Sequence, residues 1–362
     1  MRKSTVRWLV VCVAGLAIAA CDGSATEAGG DGSDAPEEPE GETYANPVLN
    51  RDFPDPTVIE APDGWFYAYG TETMIHAAPY NIQVARSRDL VDWSWEGDAL
   101  PEGATWAEQG RSYWAPHVVY APEQDRYIMY YSAHHDGRDG KCLAVATSAS
   151  PLGPFRDAGE PLLCGEGFVN IDPMAFDDPV SGKKLLYWGS GFQPIRVQEL
   201  ADDRMRFKPG TEPAPVLYPT DDEPYSGLIE GAWVIYRDGA YFLFYSGDNC
   251  CGEAANYAVM VARSQDPFGP FERLSEVEGT GRSTVLEADA VWKAPGHNSV
   301  VRDAAGTDWM VYHAIDRNQP FRDTGLPGVR WDRRVMLMDR IEYLGGWPRV
   351  EGRRPSAVGA VP

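Results

Sequence analysis

Five aromatic runs recur along this chain at intervals of roughly 60 residues, a period that belongs to propellers and other repeat arrays. They are Trp65–Tyr69, Tyr127–Tyr131, Leu185–Trp188, Tyr241–Tyr245 and Trp309–Tyr312. Turn residues separate them and no long helical pattern intervenes, so each reads as a strand. A second apolar strand and a turn precede each run. These are Pro56–Ile59 with Asp63-Gly64, Pro116–Val119 with Pro122–Asp125, and Met174–Phe176 with Ser181-Gly182. Ala232–Ile235 with Asp238-Gly239 and Ser299–Val301 with Ala305-Gly306 complete the set. Asp-Gly between apolar runs is a strong hairpin signal. Three runs are followed by near-copies of strand, turn and aromatic strand: Val84–Ser87 with Asp89–Trp93, Val145–Ser148 with Pro151–Phe155, and Val261–Ser264 with Pro267–Phe271. Diverged counterparts lie around Ile195–Val197 and Val335–Leu337. About four strands per unit is the composition of a propeller blade. The chain is therefore expected to be all-β, a five-bladed β-propeller over residues 44–362, with its repeat units ending near Val350 and no second domain.

Ahead of residue 44 the composition changes. Arg2, Lys3 and Arg7 form a basic start, and Trp8–Ala20 an apolar stretch too short for a comfortable membrane span. It ends Ile18-Ala-Ala-Cys21, which resembles a bacterial lipoprotein cleavage box. Residues 1–20 then form a signal peptide, and Cys21 becomes the lipidated first residue. The simpler alternative is an ordinary secretory signal with an incidental cysteine. Residues 22–43 carry no Lys or Arg and almost nothing apolar, so residues 21–43 read as an acidic flexible tether. The expected location is exported and lipid-anchored, on the periplasmic or cell-surface face of a bacterial membrane. With Cys12 removed and Cys21 lipidated, an even number of cysteines remains, which in an exported chain points to disulfides. Cys142 is paired with Cys164, closing a loop, and Cys250 with its neighbour Cys251. Two free thiols stay open for the second pair, since a vicinal bridge is strained.

The chain carries 54 acidic against 32 basic residues, a formal charge of −22. No basic patch survives that balance, which excludes nucleic acid, and acidic polymers are disfavoured by the same electrostatics. A neutral partner fits, membrane contact is expected through the lipid anchor only, and the chain is expected to be a monomer. In a propeller the first strand of each blade lines the central channel. At those entries stand Asp55, Trp114, Asp172, Glu230 and His297, at nearly equivalent offsets from the aligned runs. Each carboxylate precedes Pro or Gly, which lets the backbone turn sharply. Singly these are turn residues. Together they are converging like charges, which are costly without a reason, and close carboxylates push their pKa values apart, separating acid from base.

Phe53-Pro-Asp-Pro-Thr57, Trp114-Ala-Pro116, Ile171-Asp-Pro173, Glu230-Gly231 and Gly296-His-Asn-Ser299 resemble the motifs of glycoside hydrolase family 43. The resemblance runs from about Tyr44 to Val350 and includes Gly345-Gly-Trp-Pro348 near the end. It implies five-bladed propeller enzymes that cleave arabinose- and xylose-containing polysaccharides with inversion. Residue by residue, it makes Asp55 the general base, Glu230 the general acid, and Asp172 the carboxylate that raises and orients the acid. A base must be ionised and an acid protonated near the working pH, and inversion calls for a separation of about 6.5–9.5 Å between them. His297 matches a position that faces a central cation, often calcium, through waters; as one His makes a poor calcium site, a channel His held by hydrogen bonds is the alternative. No cofactor is expected to be required. Trp114 is expected to stack on sugar, or else to be a buried aromatic. Arg334 resembles the blade-five arginine that contacts sugar hydroxyls, with Arg330 and Arg333 close enough to blur the register. The Cys250–Cys251 pair resembles a feature of arabinanase-like members and is expected to form a rigid rim near the acid.

The implied activity is inverting hydrolysis of α-L-arabinofuranosyl linkages in arabinan- or arabinoxylan-type plant polysaccharide. A β-xylosidase of the same family is the nearest alternative. A propeller that binds glycan without cleaving it needs no separated acid and base, and a retaining fructan-type enzyme would need carboxylates about 5–5.5 Å apart. Exo or endo attack depends on loops such as Arg317–Gly328, which the sequence does not place. His134-His135 lack metal-site spacing. Gly165–Asn170 lacks the third Gly and the helix of a dinucleotide loop, and neither a serine-hydrolase nor a zinc-protease motif is present.

Overall fold

A strand reads as a continuous apolar run when both its faces are covered, and this is the condition of the five aromatic runs. The computed structural model describes residues 42–362. The expected signal peptide, Cys21 and the tether up to residue 41 lie outside the described residues. Blade one comprises Thr57–Glu60, Phe66–Gly70, Gln83–Ser87 and Ser94–Asp98. Blade two is Trp114–Ala121, Arg126–His134, Lys141–Ser148 and Arg156–Asp157, with Leu163–Cys164 also on its third strand. Blade three is Met174–Asp177, Lys184–Trp188, Ile195–Glu199 and Ala214–Leu217. Blade four is Ile229–Arg237, Ala240–Gly247, Ala258–Ser264 and Glu272–Arg273, with Thr284–Leu286 added. Blade five is Trp292–Arg302, Asp308–Asp316, Arg334–Leu344 and Trp347–Val350. The second strand of each blade carries the aromatic run and is buried almost throughout. Cores form where blades face each other: Tyr69 and Met129 between blades one and two, Ile128 and Leu186 between two and three, Val234 and Met310 from three to five.

One expectation is corrected. Pro151–Phe155 and Pro267–Phe271 are turns, and the fourth strands begin one residue later, at Arg156 and Glu272. Asp89–Trp93 likewise precedes its strand, which starts at Ser94. Proline lacks the N–H that a ladder needs and favours turns. Both Gly-Pro bonds, Gly153-Pro154 and Gly269-Pro270, are cis. These turns join blades. The Tyr69 hydroxyl donates to the Pro151 carbonyl (2.7 Å) and the Tyr187 hydroxyl to that of Pro267 (2.6 Å). The turn-ending amides reach the preceding blade as well, Phe155 N–H to Ala99 O (2.7 Å) and Phe271 N–H to Val216 O (3.3 Å).

The ring closes through the N-terminal segment. Arg334–Leu344 pairs with Trp347–Val350 only at its far end, from Ile341 on, which leaves Arg334–Met338 open on that side. Residues 44–53 cover it. Phe53 N–H donates to Arg334 O (2.7 Å), Leu49 bridges Met336, and the Asn46 side chain accepts from Met338 N–H (2.9 Å) and donates to Met338 O (2.8 Å). The first and last of the described strands pair directly, Thr43–Ala45 against Val358–Ala360. Residues 42 and 43, expected within the tether, therefore already belong to the fold.

Candidate active site

The first strand of every blade enters the channel through a residue with positive φ: Asp55 (55°), Ala115 (45°), Asp172 (58°), Gly231 (60°) and His297 (48°). For residues with a Cβ this conformation costs about 1–2 kcal/mol each, so something must hold it. Each entry N–H is bound by a side chain of the preceding blade. Ala115 N–H donates to Thr71 Oγ1 (2.8 Å), Asp172 N–H to Ser132 Oγ (3.2 Å), His297 N–H to Ser246 Oγ (2.8 Å) and Asp55 N–H to His313 Nδ1 (3.1 Å). Thr71, Ser132, Ser246 and His313 occupy one position, two residues past the partner of each first strand. In blade three that position is Gly189, where a Cβ would come within 2.8 Å of Pro194 O, so no hydroxyl can be supplied. There the Asp172 carboxylate takes over and accepts from Gly231 N–H (3.0 Å).

This ring refines the expected equivalence. Asp55, Asp172 and His297 share one position, and Trp114 and Glu230 share the position before it. All five line a cavity of about 740 Å³, together with Arg334. Asp55 accepts from Thr71 Oγ1 (2.5 Å) and from Arg334 Nη1 (3.0 Å). Burial acts to raise its pKa, but Arg334, His297 and His313 together hold it well below the usual carboxylate range. Burial, Glu230 and Asp55 hold Asp172 well above that range, against the Gly231 N–H. Glu230 is also raised: burial and the Asp55 charge push it up, while hydroxyls donated by Ser190 and Tyr257 (2.8 Å for Tyr257) favour its anion. Asp55 is thus an ionised carboxylate facing a pair that retains a proton, and the pair titrates as a unit.

Nδ1 of His297 lies 3.6 Å from Asp55 and 3.7 Å from Asp172, and burial lowers its pKa to about 4, so it is neutral near pH 7. Calcium takes six to eight oxygen ligands, and among the described residues no group of three or more His, Cys, Asp or Glu could hold a metal. A directly ligated calcium does not fit this donor set. Trp114 lines the cavity with one face covered, since Lys141 Nζ stands 3.3 Å from its ring centroid while donating to Ser112 O (2.7 Å). Burial lowers the Lys141 pKa to about 7. Arg330 lies over Phe321 and Arg333 binds Asn50 O, which leaves Arg334 as the arginine on the base. Cys142–Cys164 and Cys250–Cys251 are both joined, the second on the cavity wall. The Arg317–Gly328 segment packs on blade one, where Ala77 N–H donates to Thr324 O (2.9 Å) and Arg322 binds Asp52 and Thr73. Beyond it, Asp332 accepts from Gly252 N–H of blade four. Loops of blades four, five and one thereby form one joined wall.

Sequence reasoning missed Thr71, His313, Ser190, Tyr257 and Lys141. The first two follow the aligned runs directly, so the alignment carries a positional signal for them. Ser190, Tyr257 and Lys141 leave none, because their roles depend on how loops and third strands approach the mouth.

Comparison with known proteins points the same way. Residues 44–348 match the sequence profile described as "Glycosyl hydrolases family 43". The chain is similar to "Beta-D-galactofuranosidase xynD" of Aspergillus niger, 29% identical over 313 residues, covering 82% of each chain. It is also similar to "Probable arabinan endo-1,5-alpha-L-arabinosidase A" of Aspergillus flavus, 28% identical over 324 residues, covering 85% of this chain and 94% of that one. Among solved structures, a "thermostable family-43 glycoside hydrolase" superposes with a TM-score of 0.67 at 27% identity, covering 86% of this chain and 97% of the other.

Proposed function

The chain belongs to glycosyl hydrolases family 43 and is a glycoside hydrolase, and from that premise we propose that it hydrolyses α-L-arabinofuranosyl linkages of a neutral polysaccharide with inversion. The observation that carries this reading is the opposite tuning of buried carboxylates in one cavity, Asp55 held ionised and the Glu230–Asp172 pair holding a proton. The names of the two fungal relatives support the sugar class, one being called a β-D-galactofuranosidase and the other an arabinan endo-1,5-α-L-arabinosidase. α-L-Arabinofuranose and β-D-galactofuranose share their ring configuration and differ by a hydroxymethylene extension.

In the assigned mechanism Asp55 takes a proton from water as the water oxygen bonds to the anomeric carbon. The bond from that carbon to the leaving oxygen breaks, and Glu230 delivers its proton to that oxygen. Asp172, fixed on Gly231 N–H, is coupled to the acid, and the pair retains a proton until then. The hydroxyls of Ser190 and Tyr257 then stabilise the carboxylate left behind. Arg334 keeps the base ionised and faces the cavity, where it reaches sugar hydroxyls. Any calcium would meet His297 through waters, and no step here runs through it.

The test is turnover of linear arabinan, aryl arabinofuranoside and aryl β-xyloside, with the anomeric product followed by NMR. Release of arabinose in the inverted configuration is expected. A preference for the xyloside would favour the β-xylosidase alternative, and glycan binding without turnover by the intact chain would overturn the assignment. We further propose export and anchoring through a lipid on Cys21. Cys21→Ser should abolish incorporation of labelled fatty acid and release the protein from membranes.

A further inference from the structure

Blade three turns two exposed phenylalanines into the mouth of the cavity. Phe168 is 38% exposed and Phe192 63%, and their rings meet edge to face with centroids 6.3 Å apart. A bulky residue at the φ of 62° that Phe192 adopts is a genuine outlier, and leaving its ring in solvent forgoes the usual gain from burying an aromatic. Stability of the fold supplies no reason for either. The two loops are tied together, with Ser190 N–H donating to Val169 O (3.3 Å) and Gly191 packed on Val169. Ser190, two residues before Phe192, is the hydroxyl that holds Glu230. The loop that presents the aromatic edge therefore also grips the acid.

This arrangement has a direction. The acid protonates the oxygen of the departing sugar, so the leaving side of the substrate lies toward Glu230 and blade three. The joined wall of blades four, five and one brings Arg322 and Arg330 to the same cavity, and Arg334 sits there on the base. We propose that Phe168 and Phe192 form the platform for the leaving-group sugar, the residue immediately past the scissile bond of a neutral arabinofuranosyl oligosaccharide. This rests on the hydrolase reading above. The apolar C–H face of a sugar ring covers both phenylalanines, and through Ser190 its arrival bears on the acid it is about to receive a proton from.

Two substrates separate the platform from the chemistry. A (1→5)-α-L-arabino-oligosaccharide places a sugar on the leaving side, whereas α-L-arabinofuranosyl fluoride releases only fluoride and places nothing there. For Phe192→Ala, and more so for the Phe168→Ala/Phe192→Ala pair, the ratio of kcat/KM on oligosaccharide to kcat/KM on fluoride should fall about tenfold, the loss of about 1.4 kcal/mol of stacking. Phe192→Trp should restore the ratio. An unchanged ratio in a parent that turns over both substrates would overturn the platform and leave the hydrolase intact. Turnover of neither substrate by the parent would overturn both.

Discussion

At the scale of single residues, Asp55 and Asp172 have the same side chain and the same backbone position, and their neighbours drive them apart. Asp55 gains the Arg334 guanidinium, whereas Asp172 faces Glu230. The pH profile of kcat/KM should accordingly have an acid limb below the ordinary carboxylate range, where Asp55 gains a proton, and an alkaline limb above it, where the Glu230–Asp172 pair loses one. Arg334→Met should move the acid limb to higher pH, and Glu230→Gln should remove the alkaline limb while cutting oligosaccharide turnover about 10²–10⁴-fold. Both are read from pH–rate curves. Stability follows opposite signs. The depressed pKa of Asp55 contributes stability that is present above its unfolded value and lost as pH falls through its folded value. The raised pKa of Asp172 works the other way, so its charge costs stability as pH rises out of the ordinary carboxylate range. Asp172→Asn keeps an acceptor for Gly231 N–H without the charge. It should raise Tm at pH 7.5 by about 2 °C or more, raise it little at pH 4, and lower kcat. A melting curve at each pH checks this.

At the scale of the element, the blade joints are hydrogen bonds from strand to turn. Tyr187→Phe leaves the Pro267 carbonyl without its 2.6 Å partner and should cost about 1 kcal/mol, measured by denaturant unfolding. Ser246→Ala removes the group that holds the entry of His297 and should lower kcat more than it lowers stability. These joints mark where the sequence was legible. The second strands announced themselves because burial on both faces makes them unbroken apolar runs, and the entry carboxylates because they stand just ahead of strands those runs had located. Pro151–Phe155 and Pro267–Phe271 misled because a run ending in a buried Phe looks like a strand, although its prolines cannot join a ladder. Thr71, Ser132 and Ser246 carry a positional signal, each just past an aligned run, but their chemistry masks it, since hydroxyl residues beside strand ends are ordinary turn formers. Phe168 and Phe192 were hidden by geometry, as nothing in a loop's own residues says which blade it leans toward.

At the scale of the whole molecule, closure depends on a side chain that imitates a strand. Asn46 meets both the N–H and the C=O of Met338, as a paired residue would. Asn46→Ala should strip both partners and cost about 2 kcal/mol in unfolding free energy, where an exposed surface change would cost a few tenths. The pairing of Thr43 with Ala360 has a further meaning. With the first and last of the described strands side by side, the propeller is closed in space by hydrogen bonds while its covalent chain stays open at that seam. A short linker joining residues 362 and 42, with a new opening at the exposed Asp238-Gly239 hairpin, should yield a circular permutant with all five blades in their cyclic order and the same catalytic cavity.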